Sequence, residues 1–263
     1  MADDADPVVS EEDVVEHTEI YGVDLLPPFE VPMEMTRATI YFSELKKRWP
    51  KIYDNLTIGQ NVGVTATLDF EDGHKIPYPT LTINNRGPIF NFPHRLGIFG
   101  RKEHANLAGQ DTIEVFKEAF ALFLNTWTGR QVLRVAIIRN IVFATGKTDC
   151  TNWLGRAVLQ FDSRNLSAAQ CQLVYKDEFF QYMLNIGTAQ IVQQTLVPAM
   201  GGVITQPNQS ALGVRVEIFH HTAHPLDEAE QGDVVRKAQS IWPDVLLEFL
   251  NTRRWPDDYL DAE

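Results

Sequence analysis

The chain has 263 residues, 44% hydrophobic and 22% charged, with a formal net charge of −12. That length buries a substantial core as one large domain or two small ones, and no apolar run approaches the roughly 20 residues of a membrane-crossing helix. Eight acids and no Lys or Arg lie in residues 1–20 and four more acids in 256–263, leaving residues 21–255 near neutral, without the broad basic field of a nucleic-acid binder. No membrane association is expected. The N-terminus lacks the basic and apolar regions of a secretory signal. Cys150 and Cys171 fit a reducing compartment, so the expected location is the cytoplasm.

Residues 1–20 are acidic, without a sustained period, and are expected to be a disordered tail. The Pro-rich lead-in 25–33 is expected to be extended. A strand is expected at 35–42, followed by a helix over 44–54 that turns Leu45, Trp49, Ile52 and Tyr53 inward. Residues 59–70 alternate Val62, Val64, Ala66, Leu68 and Phe70 with smaller or polar residues, the signature of a half-buried strand. Strands near 80–84 and 88–92 complete a meander, and 97–108 reads as a glycine- and charge-rich loop. Asp111 and Glu114 open a helix to Trp127 in a capping-box-like start. Its stripe of Ile113, Phe116, Phe120, Phe123, Leu124 and Trp127 is a core face, and Gly129 ends it.

The β-branched run 131–145 predicts a long strand buried on at least one face, at the middle of a sheet. It is followed by a short helix near 149–160, strands at 168–176 and 179–186, further strand material at 189–206 and a strand at 212–219. The last helix is expected over 227–251, kinked at Pro243. Both halves thus read β-α-β-β-β-α. The predicted fold is α+β, an internal duplication with antiparallel sheets packed on long helices. The expected divisions are a tail and lead-in at 1–34, halves at 35–129 and 130–255, and an acidic C-terminal tail at 256–263.

Chemistry-bearing motifs are sparse. Gly146-Lys147-Thr148 resembles the end of a phosphate-binding loop, but the glycine required five residues earlier is Ile141. His221, His224 and Asp227 are the only candidate metal ligands, and they lack the helical spacing of a zinc-protease motif; an ordinary strand-exit turn explains them equally. His94, Arg95, Arg101 and Lys102 form a modest basic stretch suited to an acidic partner. Asp69, Glu71 and Asp72 cluster like nuclease carboxylates, yet a turn with Gly73 explains them. No catalytic nucleophile signature is present. No cofactor is expected.

Several segments carry a family resemblance: Leu26-Pro27-Pro28-Phe29, the helix end Trp49-Pro50, 82–92 before the helix 111–127, and Leu133-Arg134-Val135-Ala136-Ile137-Ile138-Arg139-Asn140. Gly213 to Phe219, followed by Pro225-Leu226-Asp227, completes the pattern. This order resembles a family of uncharacterised, sporadically distributed prokaryotic proteins of similar length, whose pattern has a Leu-Arg-Tyr-type centre where this chain has Ile137-Ile138-Arg139. The resemblance covers nearly the whole chain, supports the fold and implies no activity. The expected function is that of a non-enzymatic protein-interaction or scaffold protein with a protein partner, open to homo-oligomerisation. A scattered distribution points to a defence or toxin–antidote locus. The alternative is a small-ligand-binding protein or hydrolase with a cavity between the sheet and helix 111–127.

Overall fold

The structure is a computed structural model that describes residues 9–29, 35–59, 61–69, 75–96, 103–104, 111–144, 154, 170–197, 202–220, 222 and 224–252. Ten strands form one antiparallel sheet. They are β1 (Val14–Leu26), β2 (Asn55–Ile58), β3 (Val62–Asp69), β4 (Lys75–Ile83), β5 (Pro88–Leu96), β6 (Glu103–His104), β7 (Gln131–Ala144), β8 (Gln170–Lys176), β9 (Phe180–Val197) and β10 (Gly202–His220). Their order is β2-β3-β4-β5-β1-β7-β10-β9-β8, with β6 added to β5. The α+β reading holds, and both halves share this one sheet.

Four expectations are corrected. Residues 14–20 belong to β1, which lies at the centre of the sheet between β5 and β7. Their acid count obscured a strand pattern in which Tyr21, Val23 and Leu25 alternate inward and Glu19 is buried with a cation. Residues 35–42 are helical, not a strand: α1 spans Met35–Arg48 and buries Ala38, Tyr41 and Leu45 at helical spacing. The hydroxyls of Thr39 and Ser43 fold back onto the carbonyls of Met35 and Thr39, which accommodates both residues inside the helix. Finally, the separate strands expected over 179–219 are one long hairpin of β9 and β10, and Glu103–His104 adds a short strand within the expected loop.

The helix α2 (Thr112–Thr126) matches its expectation, with Asp111 Oδ1 accepting from the amides of Ile113 and Glu114. The C-terminal segment is interrupted. It comprises α3 (Glu228–Ser240), a π turn over Ile241–Val245 containing a cis Trp242–Pro243 bond, and α4 (Leu246–Thr252). The break falls at the expected proline, so the long helix becomes two short ones. The helix expected near 149–160 lies outside the described residues except Leu154, which is buried.

One face of the sheet carries the core. Tyr21, Val23 and Leu25 on β1, Phe90 and Phe92 on β5, Val135, Ile137, Ile141 and Phe143 on β7, and Leu212, Val214, Val216 and Ile218 on β10 are all buried. They pack under the helices: Tyr21 stacks on Phe116 at 4.4 Å, and Phe143 meets Trp242 at 6.2 Å. Gly87 brings the β4–β5 turn against β1 so closely that a Cβ there would lie 2.1 Å from the carbonyl oxygen of Val23, which requires glycine. Because side chains alternate, Thr18, Ile20, Ile138, Asn140, Val142, Gly213, Arg215 and Glu217 face the opposite side, which is helix-free among the described residues.

Candidate functional site

Glu19 points into the helix side and is 3% exposed. Its Oε1 accepts from Arg139 Nε (3.0 Å) and Nη2 (2.6 Å), and its Oε2 from Thr112 Oγ1 (2.9 Å) and His94 Nε2 (3.3 Å). Burial pushes this carboxyl up, but the His94 hydrogen bond and the Arg139 guanidinium outweigh it and hold the group far below the ordinary carboxylate range. His17 stacks on His94 with ring centroids 4.6 Å apart and lies under Trp242. Burial, with the charge of His94, pushes the His17 imidazole down to about 3. A carboxylate has about four acceptor positions, and all four are occupied here. Glu19 therefore joins β1, β5, β7 and α2 and is a poor proton acceptor for chemistry.

The residues singled out from the sequence fall as follows. His94 belongs to this cluster, with its side chain 34% exposed. Arg95 Nη1 donates to the carbonyl of Val14 at 2.7 Å, so it ties β5 to the start of β1. Arg101 and Lys102 lie outside the described residues, as do His221 and the segment Gly146-Lys147-Thr148. Asp227 caps α3 through the amide of Glu230, and His224 Nε2 meets Glu230 Oε1 at 3.0 Å. His220, buried at the end of β10, bonds Thr222 Oγ1 at 3.1 Å. Among the described residues, no three His, Cys, Asp or Glu side chains converge as a metal site.

Described residues also line two concavities. On the helix side, a cleft of about 610 Å³ separates α2 from α3, floored by Val135 and walled by Phe116, Phe120, Leu124 and Val235. On the helix-free side, a hollow of about 790 Å³ opens over β7, β10, β9 and β8. Gly213 on β10 pairs directly with Gly187 on β9, so at this one position two adjacent strands contribute no side chain to its floor. Beside this pair, Asn140, Arg215 and Asn185 are direct cross-strand neighbours on β7, β10 and β9, with Gln172 next in the row on β8. Glu217 is held by Arg134 at 2.7 Å and touches Arg215 only at 3.5 Å.

Glu19 and the hollow were missed in the sequence. A charged residue inside an apolar alternation, as in Val214-Arg215-Val216, was the available signal for the second. No family model matches the chain, and no match was found among curated proteins or solved structures. No helix among the described residues is long and apolar enough to cross a membrane.

Proposed function

We propose that this chain is a non-enzymatic binding protein whose partner, a protein, docks on the helix-free face of the sheet. The observation that carries this reading is the contrast between the two faces. On the helix side the centre of the sheet is filled by buried side chains, and the carboxylate of Glu19 there is saturated. The other side presents an ordered polar row beside a hollow and, on β8, Val174 at 50% exposure. The reading includes the cytoplasmic location, membership of the sporadically distributed family and the internal duplication. Strand order supports the duplication: β5, β4 and β3 lie outward from β1 as β10, β9 and β8 lie outward from β7. The proposed first repeat then begins at Val14 rather than at residue 35.

Capture from the native host tests the surface. Val174→Glu changes the helix-free face at an exposed position, and Ile40→Glu, also exposed on α1, is the control. Proteins retained by the wild type and Ile40→Glu but reduced several-fold with Val174→Glu support the reading. Equal retention by both variants, or loss with Ile40→Glu alone, removes it. The small-ligand or hydrolase reading is favoured by the cleft under α2, whose apolar walls and polar rim suit a small molecule. A small molecule co-purifying with the chain, identified by mass spectrometry, would move the assignment there.

A further inference from the structure

We propose that the row Asn140–Arg215–Asn185, with the Gly187–Gly213 hollow beside it, is a binding site for a small oxyanion ligand, a carboxylate or a phosphate ester. The inference rests on the helix-free face being a binding surface, and it specifies one ligand on that face.

Register places the chemistry. Arg215 lies between Asn140 and Asn185 as the direct partner of both, so a guanidinium is flanked by two side-chain amides on strands about 4.8 Å apart. A guanidinium offers five N–H donors in a planar fork and each amide two more. Such a set matches the oxygens of a carboxylate or phosphate.

These donors are largely unspent. Arg215 has its side chain 44% exposed and only the 3.5 Å contact to Glu217, whose carboxylate is already taken by Arg134 at 2.7 Å. The side chains of Asn140 and Asn185 make no hydrogen bond to another described residue. The described residues lining the hollow, Asn140, Gln170, Asn185 and Arg215 among them, include no carboxylate. In a chain of net charge −12, the lining carries a local positive charge.

The glycine pair supplies the room. At Gly213 an added Cβ would meet Ala189 Cβ at 3.4 Å and the oxygen of Gly187 at 3.6 Å, ordinary contacts, so packing against neighbours does not require glycine there. Its absence of a side chain instead leaves the space next to Arg215 open. A volume of about 790 Å³ accommodates a ligand larger than the anion alone, with the anion on the Asn–Arg–Asn row and the remainder over the glycines.

Calorimetric titration of the full chain tests the site, using inorganic phosphate, citrate and adenosine monophosphate as probes and adenosine as the uncharged control. At least one anionic probe should bind saturably, and adenosine should not. Arg215→Gln should weaken that binding by about tenfold or more, the loss expected for a charge-assisted hydrogen bond, with an unchanged thermal melt. Gly213→Ala should weaken the larger probe more than inorganic phosphate. Phosphate and adenosine monophosphate binding without citrate assigns a phosphate ligand, and the reverse a carboxylate. If no anionic probe binds below about 10 mM, or if Arg215→Gln binds as the wild type does, the site is not an oxyanion site. That failure, with capture still lost in Val174→Glu, leaves the partner surface standing and removes only this ligand.

Discussion

Glu19 and His17, on one strand two residues apart, respond to acid in different windows. His17 is neutral in the folded chain because burial lowers its imidazole from 6.5 to about 3. Below pH 6.5 the unfolded chain takes up a proton that the folded chain refuses, so stability contributed by this residue is full above 6.5 and falls toward 3. The slope is about 1.4 kcal/mol per pH unit for one proton. Glu19 has the lowered carboxylate case: its contribution is full above its ordinary value of 4.5 and is lost only below that. Between pH 6.5 and 4.5, His17 is therefore the member of this pair that destabilises. Urea unfolding of His17→Gln across this interval should show a flatter dependence on pH than the wild type. An unchanged slope would show that His17 is protonated in the fold.

At the scale of elements, β1 decides whether the sheet exists as one piece. It bridges β5 and β7, with Glu19 opposite Phe92 on one side and Arg139 on the other. Deleting residues 1–20 removes Val14 to Ile20, exposes the pairing edges of both neighbours and leaves the guanidinium of Arg139, 8% exposed, without its carboxylate. Removing one partner of a buried ion pair alone costs about 3–5 kcal/mol, a large part of the stability of an ordinary domain. The truncated chain should show no cooperative melt by circular dichroism. A cooperative melt within a few degrees of the wild type would mean that β1 is dispensable.

At the scale of the whole molecule, the halves are joined at the centre of the sheet rather than through a linker. β1 and β7 pair from Val14 with Phe143 to Leu26 with Gln131, and Leu226 before α3 donates its amide to the carbonyl of Val132. Neither half keeps its central strand covered if the other opens, since each would present a long unpaired edge. Urea unfolding should therefore show one transition, with the same midpoint by tryptophan fluorescence and far-ultraviolet circular dichroism. Trp49 and Trp127 report on the first half and Trp242 on the second. Two separated midpoints would establish that the halves fold independently.

The elements legible in the sequence were those whose signal is contained within one segment. The aromatic stripe and Asp111 cap of α2, the alternation of β3 and the β-branched run of β7 each bury one side of a regular backbone, so their period states their structure. The pairing of elements was not contained in any segment. The strand character of residues 14–20 was hidden because Glu19 is an acid whose burial depends on Arg139, 120 residues away. Met35 to Phe42 has the composition of a strand, and tertiary packing of Ala38, Tyr41 and Leu45 made it a helix. The hollow exists only because register sets Gly213 against Gly187 and Arg215 between Asn140 and Asn185. Local periodicity determined most of the elements. The order in which distant strands meet decided which charges are buried and which donors are left without a partner among the described residues.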